Sequence, residues 1–366
     1  MTLLNKKQIF LKIKQFINNN KLYFFLIFCI FLINIYPLIQ KNLINYKNKT
    51  ENIEQNICHG KSIEFKAETE IERKERIIGL MRNNSSIYLF FMFFTFGFII
   101  LMILGIIIDV TIINKWVHKR SLNFLVDKNI DKSAWNIIDI FRLVTLFLFF
   151  GHLFSFLQIL ITKIFPILNN KNFLLVFNTC ITNIITICIV FYFVIKKYNQ
   201  KLLTIGLTCK KFFINVFLGI IGYIAILPIL FLVIILVYFV TVLLKYEPPV
   251  QTIVQILFEE KQTSVLWFSI ILASIFGPIA EEIFFRGCLY NAIKNKTGIF
   301  WAIIISSFIF SILHFHIVGF VSIFVLGIML SYLYHKTGSI VSSITLHIFH
   351  NINMVIFALF VKMVSV

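Results

Sequence analysis

Apolar and polar residues along this chain are sorted into long blocks, not alternated with the period of a half-buried strand or of a helix with one wet face. Apolar blocks cover Leu22–Ile39, Ile87–Ile113, Leu143–Thr162, Phe173–Ile195 and Phe213–Leu243. Another starts at Val265 and runs toward Lys294, and three more cover Gly298–Phe315, Val318–Tyr334 and Ser339–Val361. A helix rises about 1.5 Å per residue, so blocks of this size match the roughly 20 residues that cross a hydrocarbon core. Backbone groups in lipid must bond to one another, and a helix achieves that within one segment. The pattern therefore predicts an all-α fold, a polytopic transmembrane helical bundle of about nine spans.

The polar stretches between the blocks divide the chain. Residues 1–21 form a basic tail, and 22–113 form an N-terminal transmembrane hairpin around the polar outer loop 41–86. Residues 114–212 hold basic loops and a middle transmembrane pair, and 213–361 form a C-terminal core. The run Leu22–Ile39 reads as a retained anchor, because no small-residue cleavage site follows it. Lysines and arginines recur at alternate loops: Lys115, Lys119 and Arg120, then Lys196 to Lys211, then Lys294 and Lys296. By the positive-inside rule these loops and the N-terminus face the cytoplasm of a multi-pass cell-membrane protein.

Composition agrees. Of 366 residues, 59% are hydrophobic, 44 are Phe and only 14% are charged, where a soluble domain keeps about a quarter charged to wet its surface. The net charge of +18 would suggest nucleic acid in a soluble protein. Here the cations sit in short loops, where they set topology and meet anionic lipid, so a nucleic-acid partner is not expected. The six cysteines form no CxxC pair, and neither a zinc knuckle nor a disulfide framework is expected.

Candidate chemistry gathers in the last third. The string Gly277-Pro278-Ile279-Ala280-Glu281-Glu282-Ile283-Phe284-Phe285-Arg286-Gly287 puts three charges into one apolar helix. Each costs about 2.5–3.5 kcal/mol at a bilayer centre, so they should face a protein cavity or water. Glu282 and Arg286 are four apart and share a helix face, acid before base. Glu281 points about 100° away from Glu282 and has no partner on its own helix, which suits a general acid or base. Gly277-Pro278 is a candidate helix break just before it. Five of the eight histidines, His314, His316, His335, His347 and His350, lie at or beyond position 314. His314 ends the string Phe310-Ser311-Ile312-Leu313-His314, and His347 and Asn351 project to one side of the final span. Alone, each fragment reads as an interhelical hydrogen bond; the ordered set, one per apolar helix, points to a membrane-embedded site. His316 and His335 read as interface residues and His350 as support.

The three fragments, Glu281-Glu282-xxx-Arg286, Phe310-xxx-His314 and His347-xxx-Asn351, resemble the three motifs of the CPBP family of intramembrane proteases. That family includes the type II CAAX prenyl endopeptidases and bacterial Abi-like relatives, and the resemblance covers roughly residues 213–361. It implies an intramembrane endopeptidase that hydrolyses a peptide bond of a membrane-associated or lipophilic peptide or protein. Glu281 with His314 would activate water. His347 and Asn351 would donate to the oxyanion, each donor worth about 2.7–4 kcal/mol, while Glu282 and Arg286 would be structural. Zinc is open as a cofactor, with Glu281, His314 and His347 as its ligands, but no HExxH string is present and the reading taken is metal-free. Two alternatives use the same residues. One is a non-proteolytic scaffold, regulator or bacteriocin-immunity protein; the other is a transporter, against which the lack of internal symmetry argues.

Overall fold

The computed structural model describes residues 14–30, 79, 85–118, 132–165, 170–246 and 251–365. The expectations for residues 1–13, for nearly all of the loop 41–86 and for the Glu247-Pro248-Pro249 turn fall outside them. Among the described residues there is no strand, and the main helices are α1 Lys21–Ile30, α2 Ser85–Val117, α3 Ile137–Ile164, α4 Lys171–Lys197, α5 Phe212–Leu243, α6 Thr252–Glu259, α7 Thr263–Thr297, α8 Ile299–Ile312, α9 Phe320–Thr337 and α10 Ile340–Ser365. Seven of them, α2, α3, α4, α5, α7, α9 and α10, are long and apolar enough to cross a membrane. Helix α1, described as far as residue 30, and the shorter apolar helix α8 lie in the two remaining blocks. The protein is thus an all-α, multi-pass membrane bundle. Helix α8 ends earlier than its apolar pattern suggested, because Phe315 adopts a left-handed φ of 49° that a helix cannot continue through.

The chain forms two compact units. In the first, residues 1–70 with 141–169, Arg142 Nε donates to Asn20 Oδ1 at 2.8 Å. The rings of Phe16, Phe24 and Phe141 cluster beside that bond. The second unit, residues 71–140 with 170–366, holds all the candidate chemistry. Its helix starts are capped as the side chains dictate. Asn170 Oδ1 accepts the Phe173 N–H at 3.0 Å to open α4, and Asn136 and Asp139 cap each other's backbone N–H groups at the start of α3. Gly338, at φ 67°, closes α9.

Helix α5 packs along α10, α2 and α9, and α8 packs along α9. Backbones approach closely where small residues allow it: a side chain at Gly219 of α5 would lie 2.6 Å from the Ser342 carbonyl oxygen and from Thr345 Cβ on α10. Helix α7 lies against α4, α8 and α10 and is not uniform. Two stretches, Leu272–Phe276 and Ile283–Tyr290, widen into π-helical turns. The expected break at Gly277-Pro278 does not occur, because the first π turn absorbs the proline and the helix runs on.

Candidate active site

Glu282, Arg286 and His347 form the buried centre of the site. Glu282 and Arg286 are both fully buried, and the Arg286 Nη1–H donates to Glu282 Oε1 at 3.0 Å, the i,i+4 pair that the spacing predicts. The same carboxylate oxygen accepts from His347 Nδ1 at 2.9 Å, across from α7 to α10. Arg286 is held further by its Nη2 donating to the Gly327 carbonyl of α9 at 3.3 Å. Its guanidinium also lies 4.6 Å from the centre of the Phe310 ring. Removing these charges from lipid is therefore a collective arrangement of three helices.

Glu281 stands at the edge of this centre. Its side chain keeps 34% exposure, and its Oε2 lies 3.8 Å from His347 Nε2. That spacing is too long for a direct hydrogen bond, and Oε2 has no hydrogen-bond partner. The sequence reading that left Glu281 unpaired on its own helix agrees with this geometry. The carboxylate next to it is bound on two sides.

His314 lies in the turn after α8, exposed, with Nδ1 donating to the Phe310 carbonyl at 2.7 Å. No ion-pair contact joins it to Glu281 among the described residues. The link runs through Phe310, a fully buried ring whose centroid is 4.6 Å from that of His314 and 5.7 Å from that of His347. Asn351 is tied elsewhere. Its Nδ2 donates to the Ala273 carbonyl at 2.9 Å, and the reason lies in the first π turn of α7. There the Gly277 N–H bonds to Leu272 O, and the next residue able to reach Ala273 O would be Pro278, which has no N–H. Asn351 supplies the missing donor and retains a second N–H for other use.

The other histidines of this third of the chain make contacts of their own, and His350 lies one turn along α10 from His347. His316 Nδ1 accepts the Gly319 N–H at 2.7 Å, His335 packs on Tyr290, and the ring of His350 lies 6.3 Å from that of Tyr223. Sequence reasoning missed a prop under α7. The Trp135 indole N–H donates to the Cys288 carbonyl of the second π turn at 3.0 Å, and Asn295 donates to Ser133 O and Oγ. A lone Trp in a polar stretch is the one signal that could have drawn attention to it.

The donor set was also tested against zinc. Among the described residues, no three His, Cys, Asp or Glu side chains converge so as to hold a metal ion. His314 and His347 each commit Nδ1 to a protein acceptor, which leaves Nε2 of each ring as the nitrogen able to take a ligand. In this structure Glu281, His314 and His347 do not converge as a three-ligand set, and no step below is routed through a metal.

Residues 263–353 match the family described as type II CAAX prenyl endopeptidase, Rce1-like. The candidate membrane peptidase YdiL of Bacillus subtilis strain 168 is 39% identical over 90 residues, which are 25% of this chain and 37% of that protein. The chain therefore spans little more than a third of the length of this curated relative. No solved structure matches. The matched segment contains Glu281, Glu282, Arg286, His314, His347 and Asn351, so the candidate site lies within the part of this multi-pass membrane protein that is similar to that family.

Proposed function

We propose that the protein is an intramembrane endopeptidase acting on a membrane-associated or lipophilic peptide or protein. The observation that carries this reading is the pairing of a half-exposed, unbonded Glu281 with a buried histidine 3.8 Å away, inside an apolar bundle. Without a substrate, such a carboxylate has no reason to be maintained there. The match to a peptidase family over the same residues supports the chemistry.

In this reading Glu281, with His314 at the mouth of the site, takes a proton from water as its oxygen attacks the scissile carbonyl. His347 and the second N–H of Asn351 donate to the oxyanion that forms. His347 does so through Nε2 when the ring carries both protons. Arg286 balances the charge behind it. The mechanism is proposed as metal-free. Stoichiometric zinc in the purified protein, lost in His314→Ala, would overturn that part.

The function is tested by comparing released and membrane-bound peptide termini in cells carrying wild type or Glu281→Gln at matched protein levels. Specific termini should vanish with the variant. Identical profiles, alongside a phenotype for deletion of the whole protein, would favour a non-proteolytic scaffold.

A further inference from the structure

We infer that Glu282 is a positioning residue for His347, fixing which ring nitrogen faces Glu281, and not merely one half of a helix-internal ion pair. The bonding pattern requires more than a structural pair. An Arg–carboxylate pair kept for packing alone favours a bidentate fork that uses both oxygens. Here only Oε1 is used, and both Glu282 Oε2 and Arg286 Nε are buried without hydrogen-bond partners. The oxygen that is used is shared with a residue 65 positions away on another helix. The pair has given up its own best geometry while serving His347.

Donor counting sets the ring. Arg286 has only donors and the Glu282 carboxylate only acceptors, so the proton in the Glu282–His347 bond belongs to Nδ1. A neutral His347 then presents a bare Nε2 lone pair across the 3.8 Å gap to Glu281. At that nitrogen it accepts first, and it donates only after taking up a proton. Burial of His347 at 3% exposure and the edge of Phe310 keep the ring from turning over. His314 is set in the same way by the Phe310 carbonyl, whereas His316 accepts at Nδ1 and must carry its proton on Nε2. The molecule thus contains its own contrast. The catalytic meaning of the arrangement rests on the peptidase reading; the state of the ring does not.

The test reads ring nitrogens by ¹⁵N NMR on the full-length, histidine-labelled protein in lipid nanodiscs, with pH raised until the spectra stop changing. His347→Gln identifies the signal by its loss. The expected result is a protonated Nδ1 and bare Nε2 for His347 in wild type. That signature should be lost in Glu282→Leu/Arg286→Met, which removes both buried charges together, while the opposite signature of His316 persists as a sign of intact folding. A proton on Nε2 in wild type overturns the inference, and so does an unchanged His347 signature in the folded double variant. If the double variant fails to fold, the wild-type spectrum alone still decides. A failed peptidase reading would look different: unchanged peptide termini in Glu281→Gln with the His347 signature intact.

Discussion

Replacing Arg286 by Met strands the Glu282 carboxylate in a site with no exposure, and replacing Glu282 by Leu strands the guanidinium. Breaking a buried pair from one side costs about 3–5 kcal/mol, because the remaining charge has lost its partner and cannot reach water. Native stability is only about 5–15 kcal/mol, so either single variant should be severely weakened. The double variant removes both charges and fills the space with apolar groups. Its remaining penalty is the His347 Nδ1–H, which loses its acceptor, and an unsatisfied buried donor costs about 1–3 kcal/mol. The double variant should therefore be more stable than either single one. Unfolding in lipid bicelles against rising denaturing detergent measures all four proteins of the cycle. A double variant that loses the sum of the two single losses would refute the claim that these charges are energetically coupled.

Other perturbations follow from the same contacts. Asn351→Ala leaves the Ala273 carbonyl without a donor and should cost about 1–3 kcal/mol in the same unfolding assay, independently of any catalytic loss. Gly219→Val forces side-chain atoms onto the backbone of α10 and should cost about 1–3 kcal/mol or more, with the thermal midpoint as readout. Trp135→Phe keeps the ring but loses the indole bond to Cys288, and should cost about 0.5–1.5 kcal/mol. The Gln262 backbone N–H, helped by Asn172, holds the Glu260 carboxyl below its ordinary value of 4.5, with burial opposing. A depressed folded value means that this stability is full above 4.5 and fades as pH falls through the lower folded value. The stability gap between wild type and Glu260→Gln should close as pH is lowered from about 6 to about 3, and a gap that widens would contradict the sign.

What could be read from sequence follows from what is local. Apolar runs located the seven helices long and apolar enough to span a membrane among the described residues, because lipid enforces helix wherever a run is long enough. The Glu282–Arg286 pair was legible because four residues make one turn. The π turns of α7 were not, since Leu272–Phe276 and Ile283–Tyr290 are as apolar under a wider pitch as under the ordinary one. That loss hid the role of Asn351 toward Ala273, which exists only because a π turn meets a proline. The Glu282–His347 bond joins residues on different helices, and no spacing rule reaches that far. The early end of α8 was also invisible: Leu313, Phe315 and Ile317 continue the apolar pattern while the backbone turns away.

That early end has a consequence for the lipid. Helix α8 has 14 residues, which rise about 21 Å against a hydrocarbon core of about 30 Å. The helix is therefore about 9 Å shorter than the core it would have to cross, and the turn carrying His314 follows directly on its end. Phe315 and Ile317, 88% and 78% exposed, present apolar surface beside the exposed imidazole of His314. A surrounding bilayer that thins to meet the turn does so at a fraction of a kcal/mol per Å of mismatch. A helix this short ties the surroundings of His314 to bilayer thickness: in a thinner bilayer the turn lies nearer headgroup water, in a thicker one deeper in the acyl chains.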